Sequence, residues 1–240
     1  LAAAVINCGA SISVVESLIA DRSGLILRAW AFASQPAGTK RRLLEEPRIS
    51  NIINATAGLS HEILVWHDGT QWAVKRGEGA RVALNWQELG ELDNSPVFFH
   101  NHLYSPFPSS KDLLVGSNKV GLIALHSADG GAASMSLYIT PAINPISGQP
   151  FMDQAEKSTV IKHLLNINVQ SFARDIVDFD RDSDPDLHEQ QLVAQMDQLG
   201  IKFLRALKVP YHIILDVPQS DGLLSLTEYV AGYLANCRPF

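Results

Sequence analysis

The chain has little of three things that mark common classes of protein. It has only 2 cysteines in 240 residues, too few for a disulfide scaffold or a cysteine-rich zinc site. It has no surplus of positive charge, since the formal net charge is −6, which argues against a general nucleic-acid binder. It also lacks a run of about 20 uninterrupted apolar residues, so we expect no membrane span.

What remains is the composition of a soluble globular chain. Hydrophobic residues make up 46% of it, which suits one large or two small domains. Cys8 and Cys237 lie near opposite ends of the chain. A disulfide between them stays an alternative, but we expect two free thiols. The leucine at the start of the chain indicates a fragment or a processed product, so a module of a larger protein stays open as an interpretation. A cytoplasmic type of chain is expected, with a secreted effector as the alternative.

The most informative segment contains His100-Asn-His102, followed by Ser109 and Asp112. In a strand the two histidines point to the same face, because side chains alternate. The loop after them holds two prolines, and Ser109 can cap a helix whose first turn contains Asp112. Two imidazoles and a carboxylate are typical of an open catalytic zinc site, with a fourth position for water. The alternative without a metal is an ordinary helix N-cap next to two surface histidines.

This order of residues resembles the signature of the JAMM (MPN/JAB-type) zinc metalloproteases: His-x-His, six residues, then Ser-x-x-Asp. The commonest form has seven intervening residues; six resembles bacterial members with His-Asn-His-Pro, and Leu103 stands where that proline is common. The likeness covers residues 58–140. It implies an α/β (α+β) fold with a curved mixed sheet like that of cytidine deaminases, flanking helices, and helical N- and C-terminal extensions.

The resemblance also implies a reaction, the hydrolysis of peptide or isopeptide bonds in a protein or peptide substrate. His100, His102 and Asp112 would hold zinc, and Ser109 would stabilise the oxyanion. Glu62, at the start of a strand-like run, is the best candidate for the general base and then acid. The competing glutamates are Glu45, Glu46, Glu78, Glu88 and Glu91, of which Glu88 and Glu91 are predicted to lie on a solvated helix face.

The remaining pattern predicts three segments: a helical segment 1–48, a JAMM-like core 49–140, and a mainly helical extension 141–240. Strands are predicted at 62–67, 71–75, 81–84, 120–126 and 134–139, and a short strand or arm at 211–217. Helices are predicted at 2–20, 25–32, 49–60, from Ser109 to 118, and at 153–178, 187–207 and 223–236. Residues 178–189 space acidic groups as a calcium loop does, but Ser183 replaces the usual glycine, so an acidic helix–helix loop is favoured.

Two other functions compete with the hydrolase. A catalytically silent JAMM-like domain could act as a binding scaffold, and Leu103 and the shortened loop keep this alternative open. The letters His-Asn-His also suggest a metal-dependent nuclease, which ranks third. HNH nucleases spread these three residues over a ββα finger instead of placing them consecutively, and an acidic chain attracts phosphate poorly. Bacterial relatives of this kind suggest a toxin, effector or phage-associated setting.

Overall fold

A computed structural model describes Leu27 and residues 36–126, 133–177, 197–214 and 222–236. Several predicted features lie outside the described residues: the helix at 2–20, both cysteines, the turn at 129–131 and the whole acidic segment 178–189. Among the described helices, none is both long and apolar enough to cross a membrane.

The described residues alternate between strands and helices. The strands are β1 (Lys40–Arg42), β2 (Ile63–His67), β3 (Trp72–Arg76), β4 (Val97–His102), β5 (Val120–His126), β6 (Ala133–Ile139) and β7 (Tyr211–Ile214). The helices are α1 (Ile49–Thr56), α2 (Trp86–Asn94), α3 (Gln154–Val177) and α4 (Leu226–Leu234), with a short 3₁₀ helix at Asp112–Leu114. Residues 197–206 are also helical.

The described strands form one seven-stranded sheet in the order β1-β3-β2-β4-β5-β6-β7. Only β4 and β5 run parallel, and every other neighbouring pair is antiparallel. The predicted α/β class with a mixed sheet is therefore confirmed. Strands from all three predicted segments lie in this sheet, since β1 precedes residue 49 and β7 follows residue 140. The division into segments itself stays a prediction.

Helices cover both faces of the sheet, because alternate side chains of the central strands are apolar on each face. On one face Val65 and Phe99 pack with Ile52 of α1 and Tyr229 of α4. On the other face Leu64, Phe98 and Ile123 pack with Leu92 of α2, Ile161 of α3 and Phe203 of the 197–206 helix. The second face leads directly to the candidate site.

Two predicted elements are wrong. Residues 81–84 were predicted as a strand, but they pair with no strand among the described residues, and Val82 and Leu84 instead line a cleft. The helix predicted from Ser109 to 118 is only the 3₁₀ turn Asp112–Leu114. It ends there because Gly116 and Asn118 have φ values of 47° and 56°, which a helix cannot accommodate.

Lys157 of α3 is a buried cation, only 1% exposed, whose ammonium donates a hydrogen bond to the Gly116 carbonyl oxygen. Burial lowers the pKa of Lys157 to about 8, although the negative charge of Asp93 acts to raise this pKa. Because the unfolded lysine keeps its proton to higher pH, folding should become more favourable as pH rises from about 8 towards 10.5.

We therefore expect the free energy of unfolding of the wild type to rise relative to Lys157→Met over that pH range. The full shift corresponds to about 3 kcal/mol, at about 1.4 kcal/mol per pKa unit. Urea unfolding at a series of pH values measures the difference. Lys162→Met, an exposed position on the same helix, is the control and should show no such rise. Parallel curves for wild type and Lys157→Met would contradict the prediction.

Candidate metal centre

The topology of the sheet explains why distant residues meet at one edge. Strand β2 is antiparallel to β4, so Glu62, just before β2, lies beside the end of β4 that carries His100 and His102. Strands β4 and β5 are parallel, so the chain must cross over between them, and Asp112 lies on this crossover. All four side chains line the same cleft.

The two histidines and the aspartate form a compact group. The Nε2 atoms of His100 and His102 are 2.8 Å apart, and each lies 3.4 Å from a different carboxylate oxygen of Asp112. Their ligand atoms all lie within 4.8 Å of one another, so the group could hold a metal ion. The strand alternation expected for His100 and His102 thus brings both rings to one point.

The backbone fixes which nitrogen of His102 faces the group. Its Nδ1 lies 2.8 Å from the Ser105 carbonyl oxygen, which can only accept a hydrogen bond. The hydrogen is therefore on Nδ1, so in the neutral ring Nε2 presents its lone pair towards His100 and Asp112, the arrangement that a metal ligand needs. The Nδ1 atom of His100 is buried without a hydrogen-bond partner among the described residues.

The charges in the group are coupled. Burial lowers the pKa of His100. Burial also acts to lower the pKa of His102, but Asp112, Glu62 and the bond to Ser105 together raise it above its ordinary value. Burial would raise the pKa of Asp112, yet the two imidazoles hold it well below its usual range. Metal ligation needs neutral imidazole and ionised carboxylate, so a bound cation would take the place of any proton that the two imidazoles carry.

Glu62 is a buried carboxyl group, 8% exposed, beside this cluster. Burial raises the pKa of Glu62 to about 7; the nearby His102 acts to lower this pKa, and the Asp112 carboxylate acts to raise it further. A carboxyl group with a pKa near neutrality can both accept and donate a proton. A cation held by the three ligands would lower this pKa.

Ser109 is exposed at the cleft and is bonded to Asp112 in both directions. The Asp112 amide donates to Ser109 Oγ at 3.3 Å, and the Ser109 amide donates to Asp112 Oδ2 at 2.6 Å. This reciprocal pair fixes the carboxylate of Asp112. The hydroxyl hydrogen of Ser109 is not used in either bond.

Three features that position the site were missed from the sequence. Asn101 is bonded to the backbone on either side of Glu62. The carbonyl of Ser105 holds His102. Phe107 packs closely against Gly200, where an added Cβ would be 2.7 Å from its ring, and stacks on Tyr211 with the ring centroids 5.5 Å apart. The only signal for the last contact is a glycine inside a predicted helix, which often marks a close approach.

The cleft beside these groups has a volume of about 1030 Å³. Its polar lining includes the metal-ligand group, and most of its other lining residues are apolar, among them Leu84, Leu165 and Phe203. Two further apolar lining residues are exposed: Leu89 is 37% and Tyr104 84% accessible. This is a large apolar cavity with a few convergent polar groups, the usual form of a binding site.

Comparison with known proteins gives no relative: no protein-family model, no curated protein and no solved structure matches the chain. The resemblance to the JAMM signature therefore depends on the motif, and the site depends on its own geometry.

Proposed function

We propose that the protein is a zinc-dependent hydrolase of peptide or isopeptide bonds, built on a JAMM-like core. One observation carries the proposal: two imidazoles and a carboxylate converge in a single cleft beside Glu62, whose carboxyl group has a pKa raised to about 7. Three protein ligands with a free fourth position are the usual form of a catalytic zinc site.

The spacing of the ligand atoms is compatible with one tetrahedral ion, and zinc is the ion that we propose. Two atoms bound to one tetrahedral zinc at about 2.0–2.1 Å lie about 3.3 Å apart. The 3.4 Å between His100 and Asp112 Oδ1 and the 3.4 Å between His102 and Asp112 Oδ2 are close to this spacing, but they involve different oxygens, so a tetrahedral ion would take one of them. The 2.8 Å contact between His100 and His102 would have to lengthen slightly. Zinc bound there would supply a Lewis acid and would lower the pKa of a bound water molecule.

The remaining steps belong to side chains of this chain. Glu62 takes a proton from the attacking water and delivers it to the leaving amine, because its carboxyl group lies in the cleft beside the three ligands and is not one of them. The free hydroxyl hydrogen of Ser109 donates to the oxyanion of the tetrahedral intermediate. The apolar part of the cleft favours substrates with a large apolar side chain close to the bond that is cut.

A catalytically silent binding scaffold is the second candidate. The observation in its favour is the 2.8 Å distance between the two Nε2 atoms, which is a hydrogen-bond distance and shorter than two ligands of one zinc ion require. In that case the group would be a proton-sharing structural cluster, and the cleft would bind a peptide without cutting it.

Metal content separates the two candidates. We expect about one zinc per chain in protein purified without a metal-affinity tag, and none in His102→Ala, because a single imidazole and Asp112 leave too few ligands. Elemental analysis measures both. His163→Ala, which removes an exposed histidine of α3, should keep its zinc. Wild-type protein without metal, even after zinc supplementation, would exclude the hydrolase and leave the scaffold.

A further inference from the structure

Asn101 lies between the two metal-ligand candidates, but its side chain has a different set of contacts. Its Oδ1 accepts a hydrogen bond from the Ile63 amide at 2.8 Å, and its Nδ2 donates to the His61 carbonyl oxygen at 3.1 Å. The residue is only 2% exposed. One amide therefore binds the backbone immediately before and immediately after Glu62.

These two bonds stand where the ladder between β2 and β4 stops. The last registered pair is Leu64 with His100, so the backbone of residues 61–63 has no ladder partner on β4. The Asn101 side chain satisfies this backbone instead, and a buried backbone group without a partner would be costly.

The backbone of Glu62 itself is fixed from the opposite side. Its amide donates to the Gly79 carbonyl oxygen and its carbonyl oxygen accepts from the Gly77 amide, both at 2.8 Å. Gly77 comes so close that an added Cβ would lie 2.8 Å from the Glu62 carbonyl oxygen. Glu62 is thus held between the turn at 77–79 and Asn101.

We infer that Asn101 is a positioning residue, which aims the Glu62 carboxylate at the group formed by His100, His102 and Asp112. The inference rests on the proposed function, in which Glu62 carries the proton. The amide side chain offers the required acceptor and donor on two separate atoms: Asp lacks the donor, and Ala lacks both. A base moved by about 1 Å can lose about 100-fold in rate.

The test compares Asn101→Ala with Asn144→Ala. Asn144 is a matched control, because it is also buried, its Oδ1 accepts from the Ile146 amide, and its Nδ2 donates to Glu156. We expect both variants to lower the thermal midpoint. Only Asn101→Ala should lower kcat, by about 100-fold on a fluorogenic octapeptide library, with KM and zinc content near those of the wild type. If the wild type cuts the library, equal kcat in both variants would overturn the inference.

A second measurement does not depend on activity. In protein labelled with ¹³C at the glutamate carboxyl groups, the Glu62 signal can be assigned by its loss in Glu62→Gln. It should move in Asn101→Ala and stay in place in Asn144→Ala. A moved signal in a protein that cuts no peptide keeps the inference and rejects the hydrolase, whereas an unmoved signal rejects the inference. If Asn101→Ala does not fold, Asn101→Asp, which keeps the acceptor to Ile63, takes its place with a smaller shift expected.

Discussion

Glu62→Gln should lower kcat about 1000-fold, within the range for removal of a general acid–base group, and should leave the zinc content unchanged. Glutamine has the same shape as glutamate, so the packing next to His102 and the backbone bonds to Gly77 and Gly79 are kept. It cannot accept a proton near neutral pH. Because Glu62 is not among the three ligand candidates, the metal should remain.

Steady-state kinetics on the peptide library, together with elemental analysis, decides this prediction. Glu78→Gln is the control, since Glu78 is exposed, lies in the same part of the chain and was a competing candidate from the sequence. If Glu62→Gln keeps its activity, a group other than Glu62 must transfer the proton. Loss of zinc in this variant would instead make Glu62 a ligand.

The second large effect is expected on stability, from the buried pair of Lys75 and Glu88. The Lys75 ammonium of β3 lies 2.5 Å from the Glu88 carboxylate of α2, and both residues are 6% exposed. Glu88 also accepts a hydrogen bond from the Asn85 amide in the capping box of α2. The prediction that Glu88 lies on a solvated helix face is therefore wrong, because the sequence gives no sign that a lysine of the sheet faces it.

Glu88→Gln should lower the free energy of unfolding by about 3 kcal/mol, because it leaves the Lys75 ammonium buried without an opposite charge. Urea unfolding at pH 7 measures the loss. The double variant Lys75→Met with Glu88→Leu removes both charges and should recover most of it. A single variant within about 0.5 kcal/mol of the wild type, as for a surface substitution, would contradict the prediction.

The sequence was most informative where chemistry is local. Strand alternation places His100 and His102 on one face, and Asp112 returns to them through a short crossover. Prediction from the sequence fails where the structure of a residue depends on a partner that is distant in the chain. Val82 and Leu84 alternate with polar or small neighbours as a strand does, but a strand also needs an adjacent strand, which periodicity does not reveal.

The positioning residues show the same limit. Asn101 bonds to residues 38 and 40 positions earlier in the chain, and nothing in the triplet His-Asn-His distinguishes it from a spacer. The contact of Phe107 with Gly200 joins segments that were assigned to different parts of the molecule. Sequence spacing predicts which residues can share a face, whereas tertiary packing decides what holds them there.

The contacts of Phe107 and β7 also set where the chain can be shortened. A fragment ending at Thr140 would keep all five candidate site residues, yet it would lose Gly200 and Tyr211, on which Phe107 rests. It would also leave β6 as an uncovered edge of the sheet, since β7 pairs with it from Met135 to Tyr138. Uncovered edge strands recruit other chains, so such a fragment would be prone to aggregate although its motif is complete.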